Sequence, residues 1–174
     1  TLQHQNALLT MALQHVLSRK GKLMRPILVL LAAKRYGKVN DAVLHAAVSL
    51  EMLHTASLVH DDVVDESGER RGQLSVNALM DNKAAVLVGD YLLSTSLKHA
   101  ATAGSLEVVD IVARLGQTLS DGELQQLSNV KSDEISEEQY FDVIRSKTAS
   151  LFASCAEVGA LLSGATKAQI VRLR

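Results

Sequence analysis

Hydrophobic residues recur at helical spacing along most of the chain. Leu9, Leu13 and Val16 fall on one face of a helix predicted over residues 2–18. Ser136 and Gln139 form a capping box, which predicts a helix start at about residue 137. The same spacing and turn signals predict helices over residues 26–36, 41–65, 83–103, 105–128 and 137–162, with another beginning in the last ten residues. The pattern therefore predicts an all-α protein.

The composition agrees with a helical protein, because only one of the 174 residues is a proline. A chain of this length fits one domain, which we predict over residues 1–174. Its 18 basic and 19 acidic residues leave a net charge of −1, so we expect no general affinity for nucleic acid or for an acidic membrane surface.

The termini and the single cysteine suggest a cytoplasmic setting. We expect no membrane span, since no apolar run approaches the roughly 18 residues that one needs, and no secretory signal. The first residue, Thr1, implies that the sequence does not begin at its natural start. Cys155 cannot make an internal disulfide, and in its apolar surroundings we expect a small buried hydrophobe rather than a nucleophile.

The candidate chemistry is concentrated at the end of the long helix predicted over residues 41–65. Asp61 and Asp65 are four residues apart, so on a helix their carboxylates lie one turn apart on one face. Two like charges at this spacing repel each other by a few tenths of a kcal/mol unless a cation lies between them. Oxygen ligands of this kind suit Mg²⁺, which completes its shell with water and phosphate. The alternative is a solvated acidic helix end, but the apolar run before Asp61 predicts a buried helix, in which carboxylates need a metal or a partner.

Basic residues form three separate clusters in the sequence: Lys22 with Arg25, Arg70 with Arg71, and Lys147. Arginine binds phosphate in a bidentate manner and lysine binds it as a point charge. Metal at the aspartate pair together with two or more cation clusters suggests two phosphorylated ligands, although each basic cluster taken singly could be solvated surface. His54 lies two helical turns before Asp61 on the same stripe, where the alternative is an ordinary core histidine.

Five segments together resemble the trans-polyprenyl diphosphate synthases, in order and in spacing. They are GKLMRP at 21–26, EMLHTASLVHDDVVD at 51–65, RRG at 70–72, GD at 89–90 and KT at 147–148. The resemblance covers nearly the whole chain and implies an isoprenoid-synthase-like helical bundle around a central cavity. That family carries a second aspartate-rich motif beyond the point where this sequence stops. The bundle is therefore expected to be incomplete at the C-terminus, and the 174 residues alone are expected to be inactive.

The resemblance also implies the activity and the roles of the site residues. It implies a prenyltransferase that acts as a homodimer and condenses isopentenyl diphosphate with an allylic diphosphate through Mg²⁺-assisted ionisation. The implied product is a long all-trans polyprenyl diphosphate for a quinone side chain. Asp61 and Asp65 would bind the allylic diphosphate through Mg²⁺. The residues implied for isopentenyl diphosphate are Lys22, Arg25, His54 and Arg71, and those implied for the allylic diphosphate are Arg70 and Lys147, with Thr148 and Gln126 in lesser roles.

Two alternatives and one further expectation remain. The chain could be a non-catalytic diphosphate-binding subunit or fragment that needs another chain, although such subunits tend to lose the DDxxD motif. It could be a terpene cyclase, but a cyclase has no second diphosphate for Lys22 and Arg25 to bind. Ala56 and Ser57 lie about one turn before Asp61, where short-chain relatives commonly carry an aromatic side chain. Their small size predicts a product beyond fifteen or twenty carbons, unless it serves only close helix packing.

Overall fold

The computed structural model describes residues 6–18, 21–70, 72–130 and 136–173. Within these ranges the chain forms nine α-helices and a two-stranded antiparallel hairpin, which confirms the all-α class. The helices are α1 (Ala7–Leu17), α2 (Met24–Tyr36), α3 (Asp41–Val64), α4 (Val76–Leu79), α5 (Asn82–Thr102), α6 (Leu106–Val130), α7 (Glu137–Ile144), α8 (Ser150–Leu161) and α9 (Lys167–Val171). The strands are β1 (Glu69–Arg70) and β2 (Gln73–Leu74), and a π-helical turn, Arg145–Ala149, joins α7 to α8.

The chain divides into two compact units, of which the first consists of Thr1–Lys22 and Met52–Thr95. Its core is formed by the apolar faces of α1, α3, α4 and α5, as their helical spacing requires. The buried members are Ala12, Leu13, Val16, Ala56, Val59, Val76, Ala85, Val88 and Leu92. Asn6 begins α1 by accepting hydrogen bonds from the backbone N–H groups of Leu8 and Leu9.

The second unit consists of Leu23–Glu51 and Ser96–Arg174. Helices α2 and α8 pack closely, because Gly159 of α8 has no side chain and a β-carbon there would overlap the carbonyl of Val29. The predicted capping box is confirmed at the start of α7. Ser49 of α3 and Ser96 of α5 are buried and satisfy each other, since each hydroxyl donates to the other residue's backbone carbonyl at 2.8–2.9 Å.

Helix α3 contributes to both units, with residues 41–51 in the second and residues 52–64 in the first. By length and composition it could cross a membrane, although its sequence contains no uninterrupted apolar run of that length. The core helix of a soluble protein passes the same test, and 44% of the apolar window is buried here. The prediction of a single domain over residues 1–174 stays a prediction.

Helix α2 begins two residues earlier than the sequence predicts. Leu23 precedes it in the left-handed region (φ 49°), and the first helical hydrogen bond runs from the N–H of Ile27 to the carbonyl of Leu23 at 3.1 Å. Pro26 therefore lies in the first turn, where its missing N–H would have had no helical partner. The hairpin of β1 and β2 was not predicted, because two-residue strands are too short to show an alternating pattern.

Candidate functional site

The two aspartates predicted to bind metal lie at the carboxyl end of α3. Asp61 is half-buried in the last turn, and Asp65 is exposed immediately after the helix. The N–H of Asp65 donates to the carbonyl of Asp61 at 2.8 Å, so the helical spacing continues through Asp65. The negative end of the helix dipole disfavours carboxylates at this position. A bound cation would offset both this effect and the mutual repulsion of the two side chains.

The aspartate between them has a different environment. Asp62 is only 2% exposed, and its Oδ1 accepts a hydrogen bond from Nε of Arg70 at 2.6 Å. Asn77 donates from Nδ2 to the Asp62 carbonyl and to the Ser67 carbonyl, both at 3.2 Å, which holds the start of the hairpin against the end of α3. A buried carboxylate needs a metal or a partner, and for Asp62 that partner is Arg70. Arg71 lies outside the described residues.

A histidine next to the aspartates contacts helix α5. His60 Nε2 lies 3.2 Å from the carbonyl oxygen of Val86 and 3.4 Å from Oδ1 of Asp90. This approach is possible because residue 89 is glycine, and a β-carbon there would overlap the His60 ring. The GD segment at 89–90 therefore receives His60 and orients the end of α3. Sequence reasoning noted the segment but missed this role, for which a glycine inside a helix was the available signal.

Lys147 lies in the π-helical turn and reaches toward α6. Its Nζ donates to Oε1 of Gln126 at 2.8 Å and forms an ion pair with the carboxylate of Glu123. The turn packs closely on α6 because a β-carbon at Gly122 would come within 2.8 Å of the Ser146 side chain. The structure thus brings Lys147 and Gln126, two of the predicted residues, into contact. It adds Glu123, which sequence reasoning missed.

The other predicted substrate-binding residues that the structure describes are Lys22, Thr148, Arg25 and His54. Lys22 is exposed before α2, and Thr148 is exposed on the π-helical turn. Arg25 is half-buried in the first turn of α2, with its guanidinium carbon 5.4 Å from the centre of the Phe152 ring. His54 is half-buried on α3, and its carbonyl accepts a hydrogen bond from Oγ of Ser57 at 2.9 Å.

The donor set at the end of α3 fits magnesium. Within the described ranges, no three His, Cys, Asp or Glu side chains lie together in a way that could hold a metal. Asp61 and Asp65 would therefore provide two carboxylate oxygens to a bound metal and would leave the other coordination positions to water or phosphate. Mg²⁺ prefers this arrangement, whereas structural Zn²⁺ needs four nitrogen or sulfur ligands and Ca²⁺ takes six to eight oxygens.

Comparison with known proteins identifies the family. The family model described as polyprenyl synthetase matches residues 6–174. The chain belongs to the polyprenyl synthetase family. This result confirms the resemblance drawn from the five segments, and the chain spans about half the length of the curated relatives it matches.

Relatives of known sequence and structure include long-chain and shorter-chain enzymes. The chain is 41% identical over 152 residues to the octaprenyl diphosphate synthase of Escherichia coli, covering 87% of this chain and 47% of that protein. The structure of geranylgeranyl pyrophosphate synthase from Bacteroides thetaiotaomicron is 52% identical, with a TM-score of 0.82 over 97% of this chain and 52% of that one. The polyprenyl synthase of Caulobacter crescentus, complexed with calcium and isoprenyl diphosphate, is 33% identical, with a TM-score of 0.94 over 99% of this chain and 52% of that one. The chain therefore has the predicted isoprenoid-synthase helical fold.

Proposed function

We propose that the whole protein is a chain-elongating prenyltransferase. It condenses isopentenyl diphosphate with an allylic diphosphate and makes a long all-trans polyprenyl diphosphate, of the octaprenyl type, for a quinone side chain. The observation that carries this proposal is the Asp61 and Asp65 pair at the carboxyl end of α3, in a chain that matches the polyprenyl synthetase family from residue 6 to residue 174. We further propose that the protein is a cytoplasmic homodimer.

Asp61 and Asp65 are the residues that would hold Mg²⁺. When bound, the metal supplies charge stabilisation for the departing diphosphate. The helical hydrogen bond from Asp65 to Asp61 keeps the two residues one turn apart, and the contacts of His60 with α5 hold that helix end. The chain needs no side-chain nucleophile for this reaction, because the double bond of isopentenyl diphosphate attacks the allylic carbon and a proton is then lost.

The basic side chains would hold the two diphosphates. Lys147, with Gln126 and Thr148, would contact the allylic diphosphate, together with Arg70. The bond from Arg70 Nε to Asp62 orients the guanidinium and leaves its terminal N–H donors for phosphate. The residues proposed for isopentenyl diphosphate are Lys22, Arg25, His54 and Arg71.

The decisive test of this assignment is Asp61→Ala in the whole protein, assayed for elongation with labelled isopentenyl diphosphate and an allylic primer at saturating Mg²⁺. We expect turnover to fall by several orders of magnitude, because leaving-group stabilisation is the main catalytic contribution. Asp110→Ala on α6 is the matched control, since Asp110 is an exposed aspartate that pairs with Arg114 one helical turn away. Turnover of Asp61→Ala within tenfold of the wild type would refute the metal assignment.

The two substrates should separate kinetically. Lys22→Ala and Arg25→Ala are expected to raise KM for isopentenyl diphosphate more than KM for the allylic primer. Each lost charge-assisted contact should cost about 1.5–3 kcal/mol, or roughly tenfold or more in KM. A larger rise in the allylic KM would show that the two sites are exchanged.

The size of the residues before Asp61 supports a long product. Ala56 is 2% exposed within the core of the first unit, and Ser57 is half-buried beside it. Ala56→Phe is expected to shorten the product while condensation of the first units continues, and Ser57→Phe serves as the paired variant on the less buried side. An unchanged product distribution in both folded, active variants would show that the growing chain does not pass these positions.

A further inference from the structure

The lysine assigned to the allylic diphosphate is already engaged by a carboxylate. Lys147 is 25% exposed and Glu123 is 12% exposed, so the ion pair between them is largely removed from water. Neither Glu123 oxygen has a conventional hydrogen-bond donor within the described ranges, and the ion pair that the structure records for it is with Lys147. Gln126 occupies another side of the same ammonium group through Oε1.

This arrangement changes the charge that an incoming anion meets. A free ammonium attracts diphosphate in proportion to the negative charge of the ligand, whereas an ammonium paired with a buried carboxylate presents almost no net charge. The Glu123 carboxylate also repels the ligand, and this repulsion grows with the net charge of the ligand. A diphosphate that carries Mg²⁺ has two fewer negative charges, so it is penalised much less than the free anion.

We propose that Glu123 is a specificity-determining residue that makes the Lys147 site select metal-complexed diphosphate over the free anion. It acts through Lys147 and is a positioning residue rather than a catalytic one. The inference rests on the proposed function, because it requires Lys147 to bind diphosphate. It explains why the carboxylate of Glu123 lies beside Lys147, which is proposed to bind an anion. The two meet because Gly122 allows the π-helical turn to pack against α6.

The test is calorimetric binding of inorganic pyrophosphate to the whole protein, with Mg²⁺ and in EDTA. Glu123→Gln keeps the shape of the side chain and an amide oxygen for Lys147 but removes the charge. We expect this variant to bind free pyrophosphate at least tenfold more tightly, while binding with Mg²⁺ changes less than threefold. Asp121→Asn is the matched control, because it removes the same charge from an exposed position on α6 where Asp121 contacts Gln125; it should change neither affinity.

The outcomes distinguish a failure of the role proposed for Glu123 from a failure of the role proposed for Lys147. If Glu123 has only a structural role, Glu123→Gln should weaken pyrophosphate binding equally with Mg²⁺ and in EDTA. This result would overturn the inference. Lys147→Met should weaken binding of the magnesium complex; if it does not, the proposed role of Lys147 fails instead. Should Glu123→Gln not fold, the wild type still decides, by the ¹⁵N resonance of the Lys147 ammonium group. The magnesium complex should shift this resonance, and an equal shift by the free anion at the same concentration would overturn the inference.

Discussion

The ion pair between Asp62 and Arg70 should be a major local contribution to stability at the end of α3. Asp62→Asn keeps the size of the side chain and removes its charge. Asp62 is 2% exposed, so its environment cannot supply water to replace the lost interaction, whereas Arg70 is 28% exposed and can be partly hydrated. The backbone bond from Asn77 to the Asp62 carbonyl does not depend on the side chain and should survive the substitution.

The magnitude follows from this geometry. A hydrogen bond to a charged group contributes about 1.5–3 kcal/mol, and breaking a fully buried ion pair costs about 3–5 kcal/mol. The partial exposure of Arg70 places Asp62→Asn in the lower range, at about 2 kcal/mol.

Urea unfolding of the whole protein, followed by circular dichroism, measures this loss directly. Asp110→Asn is the matched control, because Asp110 accepts from Arg114 Nε at 2.9 Å in an exposed pair one helical turn apart. It should cost no more than about 0.5 kcal/mol. A loss below about 0.5 kcal/mol for Asp62→Asn, equal to the control, would refute the argument that burial gives this pair its strength.

Three further outcomes are expected. Gly89→Ala should displace the His60 ring and cost roughly 1 kcal/mol in urea unfolding; an unchanged stability would contradict the packing argument. His99 shares a hydrogen bond with His45 (Nδ1 to Nδ1, 2.9 Å), and burial, with His45 and Lys98 nearby, lowers the pKa of His99 from its ordinary value of 6.5. Because the unfolded chain then binds more protons, stability should fall as the pH drops below about 6.5, and His99→Gln should flatten that dependence in unfolding curves measured from pH 5 to 8. Burial raises the pKa of Cys155 to about 12, so its thiol should react with iodoacetamide at pH 8 at least a hundredfold more slowly in the folded protein than in urea; equal rates would contradict its burial.

The sequence was sufficient for the features that depend on neighbours along the chain. Helical spacing predicted the helices, because each must bury one apolar face. The capping box at Ser136 could be predicted from the sequence for a similar reason, since its hydrogen bonds join residues three apart. The one-turn spacing of Asp61 and Asp65 likewise followed from helix geometry alone, and the order of five short segments was enough to indicate the family.

Only the tertiary structure decided which side chains meet across elements. Asp62 and Arg70 pair because the hairpin, which is too short to show an alternating sequence pattern, folds back on the end of α3. Lys147 meets Glu123 because a π-helical turn re-aims it toward α6 and Gly122 allows close approach. His60 reaches α5 through the space left by Gly89. Local hydrogen bonds and residue spacing determine each helix, but a contact between distant residues depends on how whole faces pack, and a single sequence does not encode this in any local pattern.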